Sequence, residues 1–345
     1  MKTLNAAIIG CGAIHTTHVE ALRQLPAVTL RAIAECNIKR GRQLAAEYDC
    51  QLYHDYREML WDDAIDVVHI CTPHYLHKPM ILAALAAGKQ VFCEKPAVIN
   101  ALDVAEIDAA LLHAKGTLGI CYQNRLNPTS IAIQQQLQDG TIGNMLAIKA
   151  VLTWSRGGGY YTDSPWRGKH ATEGGCLLIN QAIHTLDLMQ WFGKGVTRVK
   201  GVVDSSWLAD IIDGEDSAMA TFAFANGARG LFYASNCYTT NSPLQMEIHG
   251  EHGLLQLEGS ELWLLRDGAR HKLASDSAPD GSGKSYWGVG HREAIRQFYN
   301  AVRDPAAAKV CGIDEAAKSL QIVDAIYRSS QLRHWITWRN KPAMR

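Results

Sequence analysis

From residue 4 to about residue 122, short apolar runs alternate with stretches whose apolar positions recur every three or four residues. LNAAII (4–9) predicts a strand, and HTTHVEALRQL (15–25) a helix stopped at Pro26. VTLRAIAE (28–35), CQLY (50–53), DVVHICT (66–72), QVFCE (90–94) and TLGICY (117–122) predict five more strands. Between them lie helical patterns at 38–48, 56–61, 76–88 and 101–116. Strands alternating with helices predict a parallel sheet covered on both faces. After about residue 123 the pattern changes. CLLINQAIHTLDLMQWF (176–192) predicts one helix. Strand-like runs then follow one another at 196–204, 217–224, 228–237, 244–250, 253–258 and 261–266, with glycine-bearing turns between some of them. Two helices, about 288–303 and 314–332, close the chain, after a loose segment near 274–286. The expected fold class is α/β. Residues 1–122 form a doubly wound parallel sheet. Residues 123–345 form an α+β domain with a large, mostly antiparallel open sheet for substrate binding and oligomerisation.

Composition narrows the partners. Lys+Arg and Asp+Glu number 34 each, so the formal net charge is zero, and neither nucleic acid nor an anionic membrane is called for. No apolar run approaches the roughly 20 residues that cross a bilayer. Nine cysteines with no C-x-x-C pair fit free thiols in a reducing compartment. A strand begins almost at the N-terminus, without room for a leader peptide. The expectation is a cytoplasmic protein.

The segment IIGCGAIH places Gly10, Gly12 and His15 in a G-x-G-x-x-G frame between a strand and a helix, with Ala13 and Ile14 in the turn. The first glycine permits the tight turn and the second lets backbone approach a pyrophosphate at a helix N-terminus. His15 stands where the third glycine is usual. Glu35, ending the next strand, is spaced to accept hydrogen bonds from an adenosine ribose. Its charge favours NAD, while Lys39 and Arg40 leave NADP open. This predicts a Rossmann domain binding NAD or NADP.

In such a sheet the ligand lies outside the carboxyl ends of the strands. Those ends read CTPHYLH (71–77), CEKP (93–96) and CYQNR (121–125). They nominate Thr72, Pro73, His74, His77, Glu94, Lys95 and Gln123 as cofactor contacts. Pro96 keeps Lys95 out of helical geometry. The G-x-G turn, TP followed by LH, EKP, NRLNP (124–128), SPWRG (164–168) and GGCLLINQAIHTLDLMQW (174–191) together resemble the Gfo/Idh/MocA oxidoreductases, over essentially the whole chain. That resemblance implies NAD(P)-dependent hydride exchange with a sugar, glycoside or inositol-like polyol. It implies that Lys95 holds and polarises the reacting oxygen and that His184 exchanges the proton. The family aspartate four residues before that histidine is Asn180 here, which still hydrogen-bonds substrate but carries no charge. His184 is therefore expected to have a lower pKa than in aspartate-bearing relatives. Arg125, Tyr160, Trp166 and Arg167 are the further substrate contacts expected. Asp187 either orients His184 or forms a salt bridge.

Plainer readings stand beside these. Cys71, His74 and His77, or His15 and His18, have zinc-like spacing, but His74 and His77 fall on the loop the resemblance gives to the nicotinamide, so no metal is expected. His69 reads as a satisfied core histidine, and Cys11, Cys71, Cys93 and Cys121 as small buried thiols. Trp154, Trp191 and Trp207 are sugar platforms or core. Two other functions share the fold: a NAD-using glycosidase or lyase with transient sugar oxidation, and a non-catalytic dinucleotide sensor. One face of an open second sheet would be exposed, and pairing such faces predicts a homo-oligomer, dimer or tetramer.

Overall fold

The structure, a computed structural model, describes residues 3–276, 289–306 and 310–338. Its strands are β1 (Leu4–Ile9), β2 (Val28–Ala34), β3 (Gln51–Tyr53), β4 (Val67–Ile70), β5 (Gln90–Glu94), β6 (Leu118–Cys121), β7 (Met145–Thr153), β8 (Val196–Asp204), β9 (Ser217–Phe224), β10 (Arg229–Ser235), β11 (Gln245–Gly250), β12 (Gly253–Glu258), β13 (Glu261–Arg266), β14 (Ala269–Ser275) and β15 (Ile336–Thr337). The helices are α1 (His15–Arg23), α2 (Ile38–Tyr48), α3 (Tyr56–Leu60), α4 (His77–Ala86), α5 (Val104–Leu111), α6 (Pro128–Gln138), α7 (Gly158–Thr162), α8 (Leu177–Asn180), α9 (Ile183–Phe192), α10 (His291–Arg303) and α11 (Ile313–Leu332). Among the described residues, those of 1–123 and 290–317 form one compact unit and those of 124–289 and 318–345 another.

The first unit carries six parallel strands in the order β3-β2-β1-β4-β5-β6. Ala6, Ile8, Val67, Val68, Val91, Phe92 and Ile120 are buried along the strand centres. That is the signature of a sheet covered on both faces. The strand order reverses beside β1, so the carboxyl ends of β1 and β4 open a crevice where such sheets take their ligand. Helix α10 packs on α1, β5 and β6. It gives Ile295, Phe298 and Tyr299 to the same core as Ile8, Val67 and Phe92.

The second unit is a nine-stranded sheet, β14-β13-β12-β11-β7-β10-β9-β8-β15. Every neighbouring pair is antiparallel except β7 with β10. The expectation of a mostly antiparallel sheet holds, and its centre is β7, a strand the sequence pattern did not separate from the turns around it. Helix α6 was also missed, although Pro128 at its first position is a start signal. The loose segment expected near 274–286 begins inside β14, and from residue 277 to 286 it lies outside the described residues. Small residues let α11 lie close on β8: a Cβ at Gly201 would sit 3.0 Å from Ile326 Cγ2. Ser329 Oγ accepts from Gly201 N at 3.0 Å. On the opposite face Val202, Met219 and Leu231 are each more than half exposed, at 54%, 54% and 52%. Cross-strand pairing of Val202 with Met219 and of Thr221 with Leu231 makes these residues neighbours on one face.

Candidate active site

Two constellations carry the chemistry, one in each unit. In the first, β1 delivers the chain to Gly10, whose φ of +87° suits glycine. A Cβ there would also meet Thr72 Cγ2 at 2.7 Å. Gly12 differs: a Cβ on it would meet nothing within 4 Å, so the backbone is open where a pyrophosphate must approach, next to Ala13, Ile14 and the start of α1. His15, in place of the third glycine, packs its ring beside the turn. Its Nδ1 contacts Gly12 O at 2.5 Å and its Nε2 contacts the Tyr48 hydroxyl at 3.0 Å. Glu35 is buried at the end of β2. Its carboxylate accepts from Cys11 N at 3.1 Å, Asn37 N at 2.8 Å and Arg40 Nη2 at 2.8 Å. Burial works to raise its pKa, but the Arg40 and backbone hydrogen bonds outweigh burial and the carboxyl is held below its ordinary value. An ionised acid is thus fixed beside the glycine turn, and Arg40 is paired with it. These residues fit an adenosine dinucleotide, and the fixed carboxylate disfavours a 2′-phosphate.

At the carboxyl ends of β4 and β5, Thr72, Pro73, His74 and His77 form one turn and Glu94, Lys95 and Pro96 the next. The Lys95–Pro96 peptide is cis. His77 joins the two turns, its ring nitrogens lying 2.7 Å from Pro96 O and 2.8 Å from Thr72 O. Burial holds its pKa below the usual histidine value despite both carbonyls. His77 thus fixes the crevice wall through backbone carbonyls. His74, buried, sets its ring 5.8 Å from that of His77, tilted by 49°. Among the described residues, the two sets with zinc-like spacing do not bring their ligand atoms together. His15 is taken up as above, and His18 by Glu94 and His69.

The sequence reading did not foresee what lies under Lys95. Glu94, the last residue of β5, turns into the core. Its Oε1 is 2.9 Å from His18 Nε2 and 3.7 Å from His291 Nε2. Beyond it the chain continues from His18 Nδ1 to His69 Nδ1 at 2.8 Å, and from His69 Nε2 to the Tyr299 hydroxyl at 3.0 Å. Burial alone would raise Glu94, yet the His18 hydrogen bond and the neighbouring His291, His18 and Lys95 charges hold it far below the ordinary carboxyl range. His291 is pushed down to about 4, chiefly by burial. Unfolded, a histidine takes its proton near pH 6.5, whereas folded His291 takes it only near pH 4. Between these values the unfolded chain binds more protons, so stability must fall as pH drops from about 6.5 to about 4. Glu94 acts the same way lower down, because its depressed pKa gives stability that is present above the unfolded value and lost as the carboxylate is forced to protonate. We expect the chemical-denaturation free energy to fall by about 3 kcal/mol across pH 6.5 to 4 on account of His291. His291→Gln should flatten that segment. An unchanged slope in the variant would remove His291 from the account.

In the second unit the sequence GGC (174–176) opens the histidine-bearing segment. Gly175 has φ +136°, and a Cβ there would run into the Tyr327 hydroxyl at 2.1 Å. That hydroxyl donates to Glu215 at 2.5 Å, and Glu215 accepts from Leu178 N at 2.6 Å. The start of α8 is thereby fixed. The helix expected over 176–192 is two: α8 ends at Asn180 and α9 starts at Ile183. Ala182 N folds back to Leu177 O at 2.8 Å, and this interruption is the physical reason. Asn180 and His184 are therefore not an i, i+4 pair of one regular helix. Asn180 Nδ2 donates to Glu173 Oε1 and contacts the Tyr160 hydroxyl at 3.4 Å. Glu173, fully buried, also accepts from Gly168 N at 2.5 Å. Glu173 thus stands one hydrogen bond behind the neutral Asn180. A glutamate directly preceding the double glycine was the available signal.

Tyr160 joins the remaining candidates. Its hydroxyl contacts Gln181 Nε2 at 3.2 Å, and the Arg167 guanidinium lies 4.3 Å over its ring and 5.3 Å from that of Trp166. Arg125 is placed otherwise. It forms a buried two-pronged pair with Asp187, both bonds 2.7 Å, and Ser319 Oγ donates to the same carboxylate at 2.7 Å. Asp187 takes the salt-bridge reading, and Arg125 is bound to protein where a substrate contact was expected. Removing one member of a buried pair strands the other, so Asp187→Ala should cost about 3–5 kcal/mol of stability, read as a lowered denaturation midpoint. A loss under about 1 kcal/mol would mean the pair is solvated in solution.

Known proteins resemble this chain over most of its length. A family model described as the oxidoreductase family with NAD-binding Rossmann fold, GFO_IDH_MocA, matches residues 4–122. The GFO/IDH/MocA C-terminal domain model matches residues 131–256. Levoglucosan dehydrogenase of Pseudarthrobacter phenanthrenivorans is 24% identical over 97% of this chain and 98% of its own. Myo-inositol 2-dehydrogenase of Thermotoga maritima is 25% identical over 72% of this chain and 74% of its own. Among solved structures, levoglucosan dehydrogenase in complex with NADH and levoglucosan superposes with a TM-score of 0.87 at 21% identity, over 97% of this chain and 99% of that one.

Proposed function

Because this chain belongs to the Gfo/Idh/MocA family of NAD-binding oxidoreductases, we propose that it exchanges a hydride between NAD and a secondary alcohol of a sugar, glycoside or inositol-like polyol. The observation that carries the reading is Lys95, set directly after β5 at the carboxyl end of a sheet whose first turn is built for a dinucleotide. Gly10, Gly12, Ala13, Ile14 and Glu35 hold the adenosine and pyrophosphate end. Thr72, Pro73, His74, Lys95 and Gln123 serve the nicotinamide end, with His77 fixing their loops, while Glu94, expected as a cofactor contact, turns into the core and anchors Lys95 from beneath through His18. NAD, when bound, supplies the hydride acceptor at nicotinamide C4.

The protein's own groups do the rest. In oxidation, His184 takes the hydroxyl proton, as a base whose unperturbed pKa of about 6.5 suits neutral pH. Lys95 stabilises the oxygen as negative charge develops on it. Asn180, its amide nitrogen donating to Glu173 and Tyr160, offers its Oδ1 as acceptor to a substrate hydroxyl, and Trp166 and Arg167 complete the substrate wall. Run backwards, the same groups reduce a ketone. The test is net NADH formation across a panel of sugars, inositols and glycosides. Turnover of one class supports the reading. Glycoside cleavage without net NADH would favour the transient-oxidation lyase.

Two finer features belong to the same reading. The exposed Val202, Met219 and Leu231 face takes a second copy of this chain, as an open apolar sheet face invites. We expect Met219→Arg with Leu231→Arg to lower the sedimenting mass by at least half. An unchanged mass would place the interface elsewhere. Among the described residues none of the nine cysteines forms a disulfide, which suits the reducing cytoplasm, and no helix there is long and apolar enough to cross a membrane.

A further inference from the structure

Arg167 is a half-buried cation whose Nε is buried and has no hydrogen-bond partner. Among the described residues, no carboxylate forms an ion pair with it. Its guanidinium carbon instead lies over aromatic rings, 4.3 Å from the centroid of Tyr160 and 5.3 Å from that of Trp166. A second guanidinium, that of Arg156, approaches the same Tyr160 ring at 5.4 Å and the Trp154 ring at 4.9 Å. Arg156 donates to Ser155 O at 2.7 Å and Asn241 Oδ1 at 2.8 Å. The acid of this cluster, Glu173, is engaged by Gly168 N and Asn180. Two arginines therefore converge on one tyrosine whose hydroxyl touches Asn180, itself a proposed substrate contact.

A buried N–H without an acceptor is uncommon in a native protein and calls for an explanation. A guanidinium fork presents a planar pair of donors that matches a carboxylate or phosphate two-pronged. Cation–π contact with Tyr160 and Trp166 holds the guanidinium in place before anything binds, so little order is lost on binding. A neutral sugar needs no such group, since hydroxyls are met equally well by amides and hydroxyls. We propose that the substrate of this enzyme carries an anionic group, a carboxylate or a phosphate, and that Arg167, supported by Arg156, receives it. The proposal rests on the sugar or polyol reading above and sharpens its substrate class.

The test compares sugars matched except for charge: D-glucose, D-glucuronate and D-glucose 6-phosphate, with the galacto and manno series. Two readings are taken, binding to the NADH complex by calorimetry and kcat/KM with NAD. At least one anionic sugar should bind and turn over about tenfold or more better than its neutral partner, in line with charge-assisted hydrogen bonding. Glucuronate and 6-phosphate separate the two sources of charge. In Arg167→Met the anionic-to-neutral ratio should fall by about tenfold, and in Arg167→Lys part of it should return, because charge is restored without the fork. NADH binding by each variant controls for folding. Neutral sugars bound as well as both anions, no anion bound at all, or equal losses for all sugars in Arg167→Met would each overturn the proposal. Should neutral sugars be oxidised without charge preference, this inference fails and the function stands. Should nothing be oxidised while glucuronate binding still needs Arg167, the function fails and the anion site stands.

Discussion

Lys95→Met is expected to lower kcat/KM by about 10³-fold while NADH binding changes by less than about threefold. Methionine keeps the length and apolar stem of lysine and removes only the ammonium. The reacting oxygen gains negative charge between alcohol and ketone, and a fixed cation interacts more strongly with that oxygen in the transition state than in the ground state. A 10³-fold loss is about 4 kcal/mol, within what one preorganised donor supplies. Its rigidity is visible in the fold: Glu94 on one side is anchored by His18, and Pro96 on the other by His77. Activity within about tenfold of wild type would show that the oxygen is polarised by another group.

The second large effect is expected at His184. His184→Asn should lower kcat by about 10²–10⁴-fold, the ordinary contribution of a positioned acid or base. Size alone would not separate a base from a packing residue. The separating readout is the acid limb of the kcat/KM–pH profile in the oxidation direction, which should vanish with the imidazole. An acid limb retained at the same pH in the variant would assign the proton to another group, with Glu173, one hydrogen bond from Asn180, the first to examine.

Much of the first unit was legible because its signals are local. Buried parallel strands are unbroken apolar runs, punctuated by glycine and proline. The sequence bounds 4–9 and 90–94 coincide with β1 and β5. The glycine turn and Glu35 were legible for the same reason, since a dinucleotide cradle is written within one β-α-β stretch. What escaped notice depends on distant pairing. The acid network under Lys95 joins His18, His69, Glu94, His291 and Tyr299, residues up to 230 positions apart along hydrogen bonds. No periodicity announces that α10 returns to the first unit. The break between α8 and α9 was invisible because both halves are apolar and the interruption lies in two hydrogen bonds. Arg125 looked like a substrate contact from its position after β6, and only the fold shows Asp187 holding it.

The most direct measurement follows one atom. The sugar or inositol most active in the panel is labelled with deuterium at its reacting carbinol carbon and oxidised with NAD by the wild-type enzyme, and the cofactor is weighed by mass spectrometry. The account predicts NADH carrying one deuterium, formed in equal amount to the ketone product, and almost none with Lys95→Met. Deuterium appearing in water, or a cofactor that cycles without net NADH while the substrate is cleaved, would contradict it.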